Sequence, residues 1–269
     1  MNQPSRVVTS PDGTRIAVFA YGAGPSLVLV HGASADHTTF RVIGPRLAQR
    51  FTIHAIDRRG RGGSDDTGPY AIEREFDDVA AVAMTLARET GAPVDIFGHS
   101  YGGRCALGAA LRTQDIRRVI SYEGAPAPIG ERYGDRDVLD ELRRLADAGD
   151  HDRLLATFLT RVVGMGAPDL AAYQADPIWP IRAAAAPTIV RELAAESADA
   201  ANLDALGAVR QPVLQLLGGA SLPPFAAATK ALDARLVDGR VIIIPGARHA
   251  AHHTHPGDVV HAVRAFLDM

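Results

Sequence analysis

The sequence predicts an α/β protein: a mostly parallel, twisted sheet with helices on both faces and one inserted helical lid. Three observations carry that reading. Short β-branched apolar runs alternate with segments of helical periodicity, the pattern of a sheet buried on both faces. The alternation breaks once, over residues 126–207, where no buried-strand pattern occurs. And a Gly-x-Ser-x-Gly run stands directly between a strand pattern and a helix pattern.

Taken in order, strands are expected at Arg15–Ala20, Ser26–Val30, Thr52–Ile56, Val94–Phe97, Val119–Tyr122, Val213–Leu217 and Val241–Ile244. Between them, helices are expected at Phe40–Arg50, Arg74–Glu89, Gly102–Leu111, Phe225–Ala234 and Val259–Leu267. The interruption is rich in Leu, Ala and charge, with helical patterns at Asp137–Ala148 and Asp152–Val163, and Pro168, Pro177, Pro180 and Pro187 punctuate it. The expected organisation is a core of residues 1–125 and 208–269, with 126–207 as a lid over the strand ends. A second independent helical domain is the alternative, but the sheet resumes at Pro212 with no flexible linker before it.

Composition narrows the function. The 269 residues are 47% hydrophobic and 22% charged, enough for a sizeable core. A net charge of −3 supplies no basic field for nucleic acid and no polybasic membrane patch. No apolar run approaches the roughly 20 residues of a membrane span, and Met1–Ser10 has no signal-peptide core. The single cysteine, Cys105, excludes an internal disulfide and fits a reducing compartment. A cytoplasmic monomer or homodimer acting on a small molecule is expected.

The chemistry concentrates in four places. In Gly98-His99-Ser100-Tyr101-Gly102-Gly103 the strand–turn–helix setting makes Ser100 the candidate nucleophile of a tight elbow, exposed above the sheet at a helix N-terminus. A serine needs a base, and His249 follows the last strand in Pro245-Gly246-Ala247-Arg248-His249. His252, His253 and His255 crowd the same loop, but their irregular spacing and the lack of a carboxylate or cysteine argue against a metal site, and they are read as solvated loop residues. For the oxyanion, Tyr101 supplies one N–H; the loop His31-Gly32-Ala33-Ser34 supplies the other from Ala33, with Ser34 second. Ser34, His37, Phe40 and Trp179 are candidate pocket residues, Trp179 with Tyr173 as an apolar wall contributed by the lid.

His31-Gly32, Asp57-Arg58-Arg59-Gly60-Arg61-Gly62-Gly63-Ser64, the serine elbow and the His249 loop together resemble the α/β-hydrolase superfamily. Within it the chain is similar to small bacterial esterases, lactonases and cofactor-free haloperoxidases, over nearly its whole length. The resemblance implies no cofactor, and it makes Asp57–Ser64 a bracing loop. It also implies an acid after the penultimate strand, where Leu217-Gly218-Gly219-Ala220-Ser221 carries none. Some members place the acid after the strand that follows the elbow helix, and here Glu123 stands at that position. Glu123 is therefore the expected partner of His249, a carboxylate that braces the lid or binds substrate being the alternative. The implied activity is cleavage of a small to medium, mainly apolar ester, thioester or lactone through an acyl-enzyme on Ser100. A lyase, a cyclase or a C–C hydrolase on the same fold, and a ligand-binding protein without turnover, are the other readings.

Overall fold

A computed structural model describes residues 3–135 and 137–269. The strands are β1 (Arg6–Thr9), β2 (Arg15–Gly22), β3 (Ser26–Val30), β4 (Thr52–Ile56), β5 (Val94–His99), β6 (Ile116–Tyr122), β7 (Val213–Gly218) and β8 (Gly239–Ile244). Among the described residues they form one sheet in the order β1-β2-β4-β3-β5-β6-β7-β8. The six strands β3 to β8 pair in parallel, while β1 and β2 add an antiparallel edge. The chain runs from β3 outward to β4 on one side, then crosses back to place β5 on the other side of β3. That reversal opens a crevice at the carboxyl ends of β3 and β5, where an open parallel sheet receives its ligand.

Period-two alternation divides the core into two layers. Val28, Val30 and Ile96 face Phe76, Val79 and Ala83 of helix Ile72–Thr90. Their neighbours Leu27, Leu29 and Phe97 face the opposite layer, with Phe40, Val263 and Phe266. Every residue of β3 is buried, which explains its uninterrupted apolar run.

Three expectations need correction. The helix expected over Phe40–Arg50 is a short 3-10 turn, His37–Phe40, followed by a single turn, Gly44–Leu47. Pro45 explains the break, because it donates no N–H and its ring crowds the carbonyl four residues back. The first strand, β1, was not anticipated; four residues at the sheet edge leave too little pattern to read. The last strand, β8, is the other edge, and Ile242 and Ile243 are exposed there rather than covered on both faces.

Between β6 and β7 the chain builds helices Val138–Asp147, His151–Arg161, Ala167–Gln174, Trp179–Ala185, Pro187–Ala194 and Leu203–Gly207. Pro168, Pro180 and Pro187 all sit in first turns, where a missing N–H costs nothing. Leu142, Leu154, Phe158 and Ile189 of these helices share one apolar cluster with Val28 and Val30 of the sheet. Ion pairs tie the same helices to the loops beneath, Arg182 to Asp36 at 2.8 Å and Arg191 to Asp66 at 2.7 Å.

Candidate active site

Ser100 lies between β5 and helix Tyr101–Ala110, at φ 54° and ψ −126°. That conformation is strained for a non-glycine residue, and the surroundings hold it there. The turn closes so tightly that a Cβ on Gly98 would lie 2.3 Å from the Gly102 carbonyl, and one on Gly102 2.3 Å from the Val30 carbonyl. Only glycine fits at either position. The Ser100 N–H donates to the Tyr122 carbonyl at 2.7 Å, which ties the elbow to the neighbouring strand β6.

Strand β6 carries the next component. Glu123 follows its last residue and takes the left-handed region, φ 49°. From there its side chain meets His249, with Oε2 accepting from Nδ1 at 2.6 Å. The other oxygen, Oε1, accepts from the Gly218 N–H at 2.7 Å and the Ser221 hydroxyl at 2.6 Å. The last residue of β7 and the loop after it, which has no carboxylate of its own, thus supply one donor each to the carboxylate at the end of the adjacent strand. The His249 loop is pinned from below. His99 Nε2 donates to the His249 carbonyl at 2.8 Å, and the Tyr122 hydroxyl donates to the Arg248 carbonyl. The Phe225 ring lies 4.6 Å from the His249 ring.

Ser100, Glu123 and His249 line one cavity. Ala33 and Tyr101 line it as well, from the loop after β3 and from the first turn of the elbow helix. The remaining wall is largely apolar, from Phe158, Val162, Val163, Ile189 and Leu193 above and Phe225 at the side. The candidate pocket residues Ser34, His37, Phe40 and Trp179 do not line it. Ser34 is buried with a left-handed backbone, φ 52°. His37 is drawn away by the Asp57 carboxylate at 2.8 Å and stacks on Phe19. Phe40 fills the core layer beneath the sheet, and Trp179 turns its N–H to Asp152 at 2.6 Å inside the helical insertion. Nor are all the extra histidines solvated: His252 is buried, its ring 4.3 Å from that of His99. Among the described residues no group of three or more His, Cys, Asp or Glu is placed to hold a metal ion. No helix of the described residues is long and apolar enough to cross a membrane.

The Asp57–Ser64 loop braces the site with buried charge. Arg58 donates to Glu75 through Nε at 3.0 Å and Nη2 at 2.6 Å, and to Glu192 of the insertion at 2.5 Å. Arg61 also donates to Glu192, and Arg59 grips Asp78 at 2.6 and 2.7 Å. Arg58 overcomes the burial that works to raise Glu75 and holds that carboxyl below its usual range. Burial above all pushes the Cys105 thiol well above its ordinary value, so it stays an un-ionised core residue.

The buried histidines predict how stability responds to acid. Burial pulls His31, His99 and His252 well below the ordinary imidazole value, and pulls His54 and His253 down to about 4. At pH 7 such groups are neutral both folded and unfolded. Below about 6.5 the unfolded chain takes up protons that the folded chain refuses until about pH 4, so stability falls through that window. Each such proton steepens the loss by about 1.4 kcal/mol per pH unit. Urea unfolding at pH 7.5, 6 and 5 should show a progressive fall in stability, less steep in His54→Gln; a flat profile would rule the account out.

A serine elbow, a histidine after the last strand and a carboxylate at an intermediate strand end are the parts of one fold family. A model of the alpha/beta hydrolase family matches residues 27–263. The chain belongs to the alpha/beta hydrolase family. Relatives that align over nearly its whole length are hydrolases, as are structural neighbours, and it is a hydrolase of this fold. This hydrolase is 29% identical over 258 residues to 2-(acetamidomethylene)succinate hydrolase of Mesorhizobium japonicum, covering 92% of this chain and 89% of that one. It is 28% identical over 258 residues to pimeloyl-[acyl-carrier protein] methyl ester esterase of Neisseria meningitidis, covering 89% and 92%. An alpha/beta hydrolase from Sphaerobacter thermophilus of known structure superposes with a TM-score of 0.79 at 30% identity, over 95% of this chain and 99% of that one.

Several residues of this hydrolase's cavity escaped the sequence reading. Arg104, Glu192 and Glu196 are the charged ones. Arg104 had a signal: it is the one charge in Tyr101–Ala110, a helix buried along its whole length. Glu192 and Glu196 sit in an Ala-rich segment with no local pattern to separate them from surface acids. Ser221 and His99 act through distant partners, Glu123 and the His249 carbonyl, that only the fold brings near.

Proposed function

We propose that the chain is a serine hydrolase that cleaves a small to medium ester, thioester or lactone through an acyl-enzyme on Ser100. The observation that carries the reading is the 2.6 Å bond from His249 Nδ1 to Glu123 at the wall of the cavity that Ser100 lines. An ionised carboxylate only accepts, so Glu123 keeps the imidazole proton on Nδ1 and leaves the Nε2 lone pair free to take the proton of Ser100. As the serine oxygen attacks, the N–H groups of Tyr101 and Ala33 stabilise the oxyanion. His249 then returns the proton to the leaving group, and a water activated the same way releases the acid. The helical insertion acts as a lid, and its Phe158, Val162 and Ile189 favour an apolar body in the substrate. The names of the relatives, an amide-bearing succinate hydrolase and a methyl ester esterase, fit acyl chemistry. A ligand-binding role without turnover was suggested by the acid-free loop at Ala220, and that motive weakens because Gly218 at the end of β7 and Ser221 of this loop hold Glu123.

The test is the initial rate of p-nitrophenyl butyrate hydrolysis by the native protein and by Ser100→Ala. The expected result is measurable turnover that falls to the uncatalysed background in the variant. Equal rates in both proteins would remove Ser100 from the reaction.

A further inference from the structure

Arg104 carries a positive charge into the wall of the cavity, yet its donors are poorly used. It is buried at 3% exposure, and Nη2 reaches the Ala125 carbonyl at 3.3 Å. Neither Nε nor Nη1 has a hydrogen-bond acceptor among the described residues. A buried guanidinium left in that state is costly, since each unmet donor forfeits its hydration. The nearest anion is Glu196, 3.4 Å from Nη1, in a pose that makes an ion pair without a hydrogen bond. Glu196 stands on a short 3-10 turn of the insertion, Ala195–Ser197, and is 24% accessible where Arg104 is closed off. It covers the arginine from the open side.

The other charged groups at this cavity are partly or wholly engaged, Glu192 keeping Oε2 without a hydrogen-bond partner among the described residues. Glu192 gives one oxygen to Arg58 and Arg61, and Glu123 is shared among His249, Gly218 and Ser221. Among the described residues that line this cavity, Arg104 is the arginine with unmet donors. Glu196 is a weak competitor for it: burial pushes its carboxyl above the usual range against the pull of Arg104, and the nearby Glu192 adds to the push.

We propose that Arg104 is the receptor for a free carboxylate on the substrate, and that Glu196 is a stand-in which that carboxylate displaces. The inference rests on the serine-hydrolase reading for its chemistry and deepens it. The substrate class is an ester or related acyl compound whose acyl chain ends in a carboxylate, with an apolar middle against the lid. A guanidinium suits this task, because it stays charged when buried and offers several donors to one carboxylate.

A pair of probes that differ only in that charge tests it: p-nitrophenyl hydrogen adipate and its capped analogue, methyl p-nitrophenyl adipate. In the native protein kcat/KM should favour the free acid by about ten-fold or more, as expected for one charge-assisted contact. Arg104→Gln should bring the ratio to about 1, whereas Glu196→Gln should raise it above the native ratio by removing the competitor. A purely structural role for the pair would lower both rates together and leave the ratio unchanged. Hydrolysis of the capped ester with no preference for the acid would keep the serine-hydrolase reading and overturn this one. If neither ester is cleaved, that reading falls, and calorimetry with adipate decides the subsite. Saturable binding that is lost in Arg104→Gln supports it, and no binding overturns it. Should Arg104→Gln fail to fold, the Glu196→Gln ratio decides: a rise above the native ratio supports the proposal, and no rise overturns it.

Discussion

Glu123→Gln is expected to lower kcat by about 10⁴-fold, roughly 5.5 kcal/mol of transition-state stabilisation, with the fold intact. The side chain keeps its size and its place at the end of β6, but it loses the charge. As a carboxylate, Glu123 accepts from His249 Nδ1, the Gly218 N–H and the Ser221 hydroxyl at 2.6–2.7 Å. An amide cannot accept through its nitrogen. It favours the wrong imidazole tautomer, with the lone pair on Nδ1 and the proton facing Ser100. The measurement is burst or steady-state turnover of p-nitrophenyl butyrate, with circular dichroism and the thermal midpoint as controls for folding. A kcat within about three-fold of the native value would refute the role of Glu123. Ser221→Ala, which removes one of three donors to the same carboxylate, should cost far less.

Arg58→Met is expected to be the largest single loss of stability, about 3–5 kcal/mol. Arg58, Glu75 and Glu192 are buried together, so the arginine is the counter-ion to two carboxylates with no access to water. Its removal leaves Glu75 without its main partner and Glu192 with Arg61 alone. The native arrangement is not itself strong evidence of stabilisation, because desolvation offsets much of the attraction. The asymmetry lies in breaking it. Urea unfolding at pH 7 measures the effect, and Glu75→Leu added to Arg58→Met should recover part of the loss by deleting the orphaned charge. A loss below about 1 kcal/mol would show that the network relaxes or admits water.

What could be read beforehand followed from local physics. β3 is five buried residues in a row, and such a run has few places to go but the middle of a parallel sheet. The serine elbow was legible because its chemistry is local: two glycines, a serine and a strand-to-helix change lie within five residues. His249 was legible from its place after the last strand. Glu123 was reached from the resemblance, some members of the superfamily placing the acid at that strand end, and its carboxylate lies 2.6 Å from His249 Nδ1.

What stayed hidden involved partners far apart in sequence. His37 and Trp179 were plausible pocket residues by position, yet Asp57 and Asp152 draw them elsewhere. Arg104 and Glu196 are 92 positions apart, and nothing near either one announces the other.

The sequence by itself determined the fold class, seven of the eight strands and the elbow that carries Ser100, because hydrophobic period and backbone sterics act over a few residues. The tertiary structure alone showed the bond between Glu123 and His249, the donors that Gly218 and Ser221 give to that carboxylate and which charges face the cavity. Those depend on the order of strands in the sheet and on where the insertion settles, and both are set by packing between segments that the linear order keeps apart.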